Sequence, residues 1–401
     1  MKENNPIPAV YITGIGMISA LGNSVEESLH TLREQRSGLF PVTLFDTRLK
    51  HILVGEVKCS DGELLDRLGI QSDRDTYTRT ALLGLIAARE AMQMSPSAVD
   101  KKRVGLVSST TAGGMSFHEK ISKDVFAGTV DRKYVELLDC ADAAQKIARY
   151  FGISNNVTTV STACSSSANA IIVGARMIKN GIADKVLVGG TDALTRFTLN
   201  GFNCLEILSP AGCMPFDAKR KGISLGEGAA YLVLESAAVA QPEHILCRLS
   251  GYANTNEAYH TTASSPDGEG AILSIRKALE TAGLQAAGID YINAHGTGTL
   301  INDLSEGRAI ETVFGDHIPP VSSTKGYMGH TLAAAGAAEA IISILAMRHN
   351  LLFPNLRFTT RMPELSFSPQ TTPEENVRIN NVLSNSFGFG GSNASLIFSR
   401  Q

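Results

Sequence analysis

Thr158-Thr159-Val160-Ser161-Thr162-Ala163-Cys164-Ser165-Ser166-Ser167-Ala168 decides the fold. A β-favouring run stops at a turn of small residues, and a helix-forming run, 166–179, follows at once. A strand that feeds a helix through so tight a turn is the unit of a layered α/β protein whose sheets lie buried between helices. The turn also holds a thiol. At a helix N-terminus a cysteine faces unpaired backbone N–H groups and the positive end of the peptide dipoles. Both favour the reactive thiolate, and the same N–H groups can hold an oxyanion. Cys164 is therefore the candidate nucleophile, weighed against a cysteine that merely packs. The other five (Cys59, Cys140, Cys204, Cys213 and Cys247) read as packing residues.

Outward from this turn the alternation continues. Strands are expected at 9–14, with a turn at Gly14 to Gly16, and at 103–108, 158–161, 185–189 and 229–235. A second series follows at 244–254, 291–294, 320–323, 381–384 and 394–398. Helices are expected at 24–36, 78–94, 142–151, 166–179, 270–282 and 333–349, the first opened by a capping box of Ser24 and Glu27. The order repeats. Val160-Ser161-Thr162-Ala163-Cys164 matches Val321-Ser322-Ser323-Thr324-Lys325, and Val104-Gly105-Leu106-Val107 matches Ile289-Asp290-Tyr291-Ile292. The polar stretch 236–243, with Pro242, divides the chain into halves 1–240 and 241–401.

Bulk properties exclude several classes. The chain has 401 residues, 43% hydrophobic and 19% charged, with a formal charge of −3, which leaves no basic footprint for nucleic acid. The longest apolar stretch, 332–347, contains Glu339 and is too short to span a bilayer, so no membrane role is expected. Residues 1–8 hold no apolar run of a secretory signal, and the cysteines form no CxxC pair. A cytoplasmic protein with reduced thiols is expected.

Three further segments carry chemistry. In Asn293-Ala294-His295-Gly296-Thr297-Gly298-Thr299 a strand delivers a histidine into a glycine/threonine turn; the alternative is a loop histidine bonded to nearby hydroxyls. In Ser323-Thr324-Lys325-Gly326-Tyr327-Met328-Gly329-His330 a lysine and a histidine precede an Ala/Gly-rich helix. The nearby helix start disfavours imidazolium, so His330 is expected to be neutral and to donate through N–H. Asn385-Ser386-Phe387-Gly388-Phe389-Gly390-Gly391-Ser392-Asn393 lacks the GxxxxGK[ST] pattern of a phosphate cradle. It suits a turn that presents a backbone N–H and a movable phenyl ring.

Together these four segments resemble the elongating β-ketoacyl synthases of type II fatty acid synthesis and their polyketide relatives. The resemblance runs from Val10-Tyr11-Ile12-Thr13-Gly14-Ile15-Gly16 through Gly226-Glu227-Gly228-Ala229-Ala230 to the last strand. It implies a thiolase-like fold, two duplicated α/β halves in a five-layer α-β-α-β-α arrangement, and a homodimer or a heterodimer with a homologue. It implies decarboxylative Claisen condensation of malonyl-carrier protein with an acyl thioester on Cys164, in fatty acid or related polyketide biosynthesis. No cofactor or catalytic metal is implied beyond the phosphopantetheine of the partner, acyl carrier protein.

By the same resemblance His295 and His330 promote loss of CO₂ and hold the enolate. The N–H groups of Cys164 and Phe389 form an oxyanion hole, and Phe389 is a gate. Lys325 sets the electrostatics with Glu306 as partner, and Asp303 supports from behind. Asn293, Glu339, Ser384 and Asn385 are the candidate holders of a monovalent cation. Initiating synthases carry Asn where His330 stands, and thiolases need a second cysteine that is absent after Cys247.

Several positions depart from the pattern. Leu300-Ile301-Asn302 stands where Pro and Gly are usual, Arg220-Lys221-Gly222-Ile223 replaces Arg-Asp-Gly-Phe, and three serines follow Cys164. Ala112 replaces a bulkier aliphatic residue and is expected to widen the acyl tunnel. The second reading is a specialised aryl-polyene or polyketide ketosynthase with a chain-length-factor-like partner. A third, a non-catalytic partner subunit, sits poorly with an intact Cys164, His295, Lys325 and His330. Arg67, Arg74, Arg79, Lys123, Arg132, Lys133 and Arg196 are candidates to meet an acidic carrier, against the alternative of ordinary solvated charge.

Overall fold

The computed structural model describes residues 9–401, apart from the side chains of Lys123, Arg132 and Lys133. The readings made for residues 1–8 and for those three side chains lie outside the described residues.

Ten strands form one sheet. In chain order they are β1 (Val10–Ser19), β2 (Val104–Ser109), β3 (Val157–Val160), β4 (Lys185–Asp192) and β5 (Gly228–Ser236). Then come β6 (Cys247–Asn256), β7 (Tyr291–Asn293), β8 (Val321–Ser322), β9 (Asn381–Gly388) and β10 (Ser392–Ser399). The first five lie in the order β3-β2-β4-β5-β1 and the last five in the order β8-β7-β9-β10-β6. The two orders are the same, with every strand number raised by five. Parallel and antiparallel pairings repeat as well. β1 and β6 join the two sets through Tyr11↔Arg248 and Ile12↔Cys247.

Six helices fill the layers around this sheet. α1 (Arg79–Met94) and α2 (Asp142–Phe151) cover the outer face of the first set. α3 (Ser166–Lys179) packs against β2 and β4 of the first set. α4 (Glu269–Ala282) and α5 (Leu300–Phe314) cover the outer face of the second set. α6 (Ala335–His349) lies between the two sets, packed on α3. The stack is thus α-β-α-β-α, with its two sheet layers joined along one edge. The stretch Leu332–His349 has the length and apolarity to cross a membrane, but it is mostly buried as the central layer. Its all-round apolar composition suits that place.

This symmetry explains why distant residues converge. Cys164 precedes α3, and Lys325 and His330 precede α6. The two helices meet at their starts: Ser167 Oγ accepts the Ala337 N–H at 2.8 Å. A Cβ on Gly336 would lie 2.9 Å from Ala168 N.

Three expectations change. The turn at Gly14 to Gly16 is absent, because β1 runs on to Ser19. α1 lies directly on these glycines: a Cβ at Gly14 would stand 2.1 Å from Ala91 O, and one at Gly16 2.1 Å from Ala87 O. The glycines mark a close approach rather than a turn. Gly16→Ala should therefore destabilise the fold by about 3 kcal/mol. Urea unfolding measures this, and a loss below about 1 kcal/mol would show that the helix moves aside freely. The helix expected at 24–36 spans Val25–Arg33. Ser24 caps it, but the Glu27 carboxylate accepts from Asn23 N–H (2.8 Å), so only half of the capping box forms. Helices Asp61–Leu68, Met115–Ala127, Arg196–Cys204 and α5 were not anticipated.

Candidate active site

β3 ends at Val160, and the chain then turns sharply. Ala163 has φ +51°, a left-handed value that strains a residue bearing a Cβ by about 1 kcal/mol. Ser166 Oγ braces the bend, accepting the Thr162 N–H (2.8 Å) and donating to Ala163 O (2.6 Å). Ser165 Oγ donates to Thr162 O at 2.9 Å, and Ser167 Oγ ties the bend to α6. The three unusual serines are thus structural ties. On the far side Gly388 leaves no room, since a Cβ there would lie 2.8 Å from Thr162 O and 3.2 Å from Cys164 N.

The Cys164 thiol is buried, and burial pushes it up to about 11. The Lys325 ammonium and the N–H groups of Phe389 and Cys164 pull it down, and Glu339 pushes it up again. This corrects the expectation of a resting thiolate: desolvation outweighs the helix start. Alkylation of the resting enzyme by iodoacetamide should therefore rise about tenfold per pH unit from 7 to 9. A rate that levels off below pH 8 would mean that the thiolate is already formed.

His330 is wholly buried and follows the short helix Lys325–Met328. Its Nδ1 accepts the Leu332 N–H at 3.1 Å, which leaves the ring proton on Nε2. That Nε2 has no hydrogen-bond partner among the described residues. His295 follows β7. Lys325 Nζ donates to its Nδ1 (3.2 Å) and to its carbonyl oxygen (2.5 Å), so this ring also carries its proton on Nε2. The two rings stand edge to face, 5.3 Å between centroids. Burial first, and then the Lys325 charge, hold both imidazoles well below their usual range, so both are neutral donors. Cys164 Sγ and one ring nitrogen from each histidine lie within 4.8 Å of one another.

Lys325 pairs with Glu339 of α6, both fully buried. The expected partner, Glu306, lies elsewhere. From α5 it accepts the N–H groups of His295 (2.9 Å) and Gly296 (2.8 Å) and Asn385 Nδ2 (3.2 Å). Burial pushes Glu306 up to about 7 despite these donors. Asp303, one turn earlier, accepts from Phe216 N–H (2.7 Å) and Gly298 N–H (3.1 Å). The two carboxylates clamp the loop that carries His295. Behind Lys325, Asn293 Oδ1, Ser384 Oγ and Glu339 Oε2 are buried without a partner among the described residues. Asn293 and Ser384 are register partners, and Asn293 Nδ2 donates to Glu339 O at 3.3 Å. The Asn385 side chain stands apart from this group, bonded to Glu306 and Ser395.

The glycine-rich segment is strand up to Gly388, followed by the 3₁₀ turn Phe389–Gly391. The Phe389 ring stacks on Phe202, 6.0 Å between centroids. A cavity of about 240 Å³ opens over Cys164, His295 and His330. Phe202, Ile223, Phe387 and Phe389 wall it, with Thr297, Thr299 and Asn302 further along. The exposed Leu300 and Ile301 stand at its outer end. Ala112 is not part of this wall; its N–H donates to Asp192 at 3.2 Å.

The sequence reading missed Asp192. Its buried carboxylate accepts from Thr110 Oγ1 (2.6 Å), Thr111 N–H (3.1 Å) and Ala333 N–H (2.9 Å), tying the loop after β2 to the turn after His330. A lone acid at the end of an apolar strand was the available signal. Arg79 is not a docking residue, because it is buried against Glu227 (2.6 Å) and Asp61 (2.8 Å). Arg74 is held by Asp66, whereas Arg67 and Arg196 are exposed. Cys59, Cys213 and Cys247 are buried as expected, but Cys140 and Cys204 are exposed.

Comparison with known proteins gives the same picture along the whole chain. Residues 8–240 match the family model described as beta-ketoacyl synthase, N-terminal domain, and residues 246–359 match its C-terminal domain. The chain is 33% identical over 411 residues to 3-oxoacyl-[acyl-carrier-protein] synthase 2 of Staphylococcus aureus (strain COL), covering 98% of each. Among solved structures it is similar to the ishigamide ketosynthase/chain length factor, with TM-score 0.89, 32% identity and coverage of 98% and 99%. It is also similar to the ketosynthase ApeO in complex with its chain length factor ApeC from Xenorhabdus doucetiae, with TM-score 0.86, 32% identity and full coverage of both.

Proposed function

The chain belongs to the β-ketoacyl synthase family of acyl-transferring condensing enzymes with a thiolase-like fold, and we propose that it joins a malonyl unit to an acyl group held on Cys164. The observation that carries this reading is the meeting of one thiol and two neutral imidazole N–H donors at the floor of one cavity.

In the first half-reaction the Cys164 sulfur attacks the thioester carbonyl of an acyl chain delivered on acyl carrier protein. The N–H groups of Cys164 and Phe389 hold the oxyanion. The S–H proton ends on the departing carrier thiol. Malonyl-carrier protein then enters. Its carboxylate leaves as CO₂, and the electron pair becomes an enolate whose oxygen receives the Nε2–H groups of His295 and His330. Each such donor contributes about 10² to 10³ in rate. The enolate carbon attacks the acyl-cysteine, the new C–C bond forms, and the Cys164 sulfur leaves as thiolate and is reprotonated. Lys325 fixes the His295 tautomer, and Phe389 moves aside when the acyl group arrives.

The three oxygens of Asn293, Ser384 and Glu339 that lack a partner among the described residues fit a monovalent cation, with Asn385 supplying at most its backbone. Such an ion would offset the Glu339 charge beside Lys325. A cytoplasmic dimer completes the reading. The sheet ends on the partly exposed strand β3, a ready pairing edge for a second copy. The halves 1–240 and 241–401 are proposed as the two structural repeats. The likeness to two ketosynthases solved with chain length factors favours a specialised polyene or polyketide pathway as the second reading, with an inactive homologue as partner. Acyl-chain profiling of Ala112→Phe tests whether Ala112 widens the tunnel, and unchanged product lengths would exclude it.

The test is intact-protein mass spectrometry. Incubation with acyl-carrier protein should add one acyl group at Cys164, and malonyl-carrier protein should then discharge it with release of CO₂. An enzyme that acquires no acyl group from any carrier would end the proposal.

A further inference from the structure

The active cavity has a single lysine in its wall, Lys221, and the chemistry described so far does not use it. The side chain is exposed, and among the described residues no carboxylate forms an ion pair with it. Its backbone, by contrast, is held on both sides. Arg220 is buried and donates to Asp217 O (3.0 Å), Thr299 O (3.1 Å) and Leu300 O (2.8 Å). The Gly222 N–H donates to Gly298 O at 3.0 Å. Gly222 has φ +145°, and a Cβ there would stand 2.1 Å from Ile207 O. Lys221 is thus a free cation on a rigid mount, fixed to the loop that carries His295.

Most of the cavity wall is apolar, and its polar remainder supplies mostly neutral donors and acceptors. Hydroxyls of Thr262, Ser264, Thr297 and Thr299 and the Asn302 amide line it, and Glu206 is its one acid. A phosphopantetheine arm is a chain of amides that ends, on the side away from the sulfur, in a phosphate. Neutral hydroxyls suit the amides, and a lysine suits the phosphate as a point charge. Glu206 disfavours an anion beside itself, so Lys221 decides where the phosphate settles. The exposed apolar side chains of Leu300 and Ile301, which border the same cavity, reduce the water around this contact.

We propose that Lys221, on its braced mount at the edge of the active cavity, binds the phosphate of the phosphopantetheine arm that carries the incoming thioester. This rests on the proposed condensing function, and the test separates the two.

Malonyl pantetheine and malonyl phosphopantetheine differ only in that phosphate. With the acylated wild-type enzyme, the KM for the phosphorylated arm should be about fivefold lower, as expected for one partly solvated charge-assisted contact. In Lys221→Ala this preference should fall to about one, Lys221→Glu should reverse it, and Lys221→Arg should restore it. The same phosphate occurs on carrier-bound arms and on coenzyme A. Malonyl-carrier protein and malonyl-coenzyme A run in parallel, and the substrate whose KM rises in Lys221→Ala identifies the source. A preference for phosphate that Lys221→Ala leaves intact would overturn the assignment, as would the absence of any preference in wild type. Failure of wild type to condense either thioester would instead overturn the function itself. Thermal unfolding of each variant guards against a folding defect.

Discussion

Replacing Cys164 with glutamine should stop condensation, a fall of about 10⁶ in turnover, while malonyl-carrier protein continues to lose CO₂. The two outcomes separate because the two chemistries use different groups. Carbon–carbon bond formation needs the sulfur to hold the acyl chain. Loss of CO₂ needs only a place for the enolate oxygen, and that place is built by the Nε2–H groups of His295 and His330, whose tautomers depend on Leu332 N–H and Lys325 rather than on Cys164. The glutamine amide oxygen can also occupy the position of an acyl-thioester oxygen, facing the N–H groups of residue 164 and Phe389, and so mimic the acylated state. Chromatography of the 3-oxoacyl product and trapping of released CO₂ measure the two activities. Full condensation by this variant would exclude Cys164 as nucleophile. Loss of both activities would mean that the histidines are not an independent enolate site.

Much of the fold was legible because apolar periodicity and small-residue turns coincide. The helices at 142–151 and 166–179 match α2 and α3, and the paired motifs fall on equivalent strands, β3 with β8 and β2 with β7. α5 escaped notice for a physical reason. Its buried face carries Asp303, Ser305, Glu306 and Gly307, which spoil the apolar period, and Asp303 and Glu306 are there to hold the His295 loop. Function there overrides pattern. Gly14 and Gly16 misled in the opposite sense, because a glycine needed for close packing looks the same in sequence as one needed for a turn. The candidate chemistry was visible as residue types, but partner choice was not. Lys325 pairs with Glu339 rather than Glu306 because α6 packs on β9 and its Glu339 carbonyl meets Asn293 of β7, and the burial that pushes the Cys164 thiol up arises only from tertiary packing.

The buried pair of Lys325 and Glu339 supports the second large effect. Lys325→Met should slow CO₂ release in the Cys164→Gln background by about 10³ and lower stability by about 3 to 5 kcal/mol. The rate falls because His295 Nδ1 loses its donor, so the ring can place its proton on the wrong nitrogen and withdraw one enolate hydrogen bond. Stability falls because a carboxylate with no exposed surface loses its counter-charge. Burial already pushes Glu339 up to about 7 with Lys325 opposing, and removal of the lysine raises it further. A carboxyl whose folded value exceeds its unfolded value must take up a proton to fold once the pH passes the unfolded value. Because wild-type Glu339 already sits at about 7, the deficit of Lys325→Met relative to wild type should stay small up to about pH 6 and grow as the pH rises above 7. Adding Glu339→Gln removes the unpaired charge, so the double variant should recover most of the stability and lose its pH dependence. Its rate should stay low, because His295 still lacks its donor. Urea unfolding across pH and CO₂ release together decide the matter. A double variant that regains both stability and rate would mean that Lys325 serves only to neutralise Glu339, and that the His295 tautomer is set by something else.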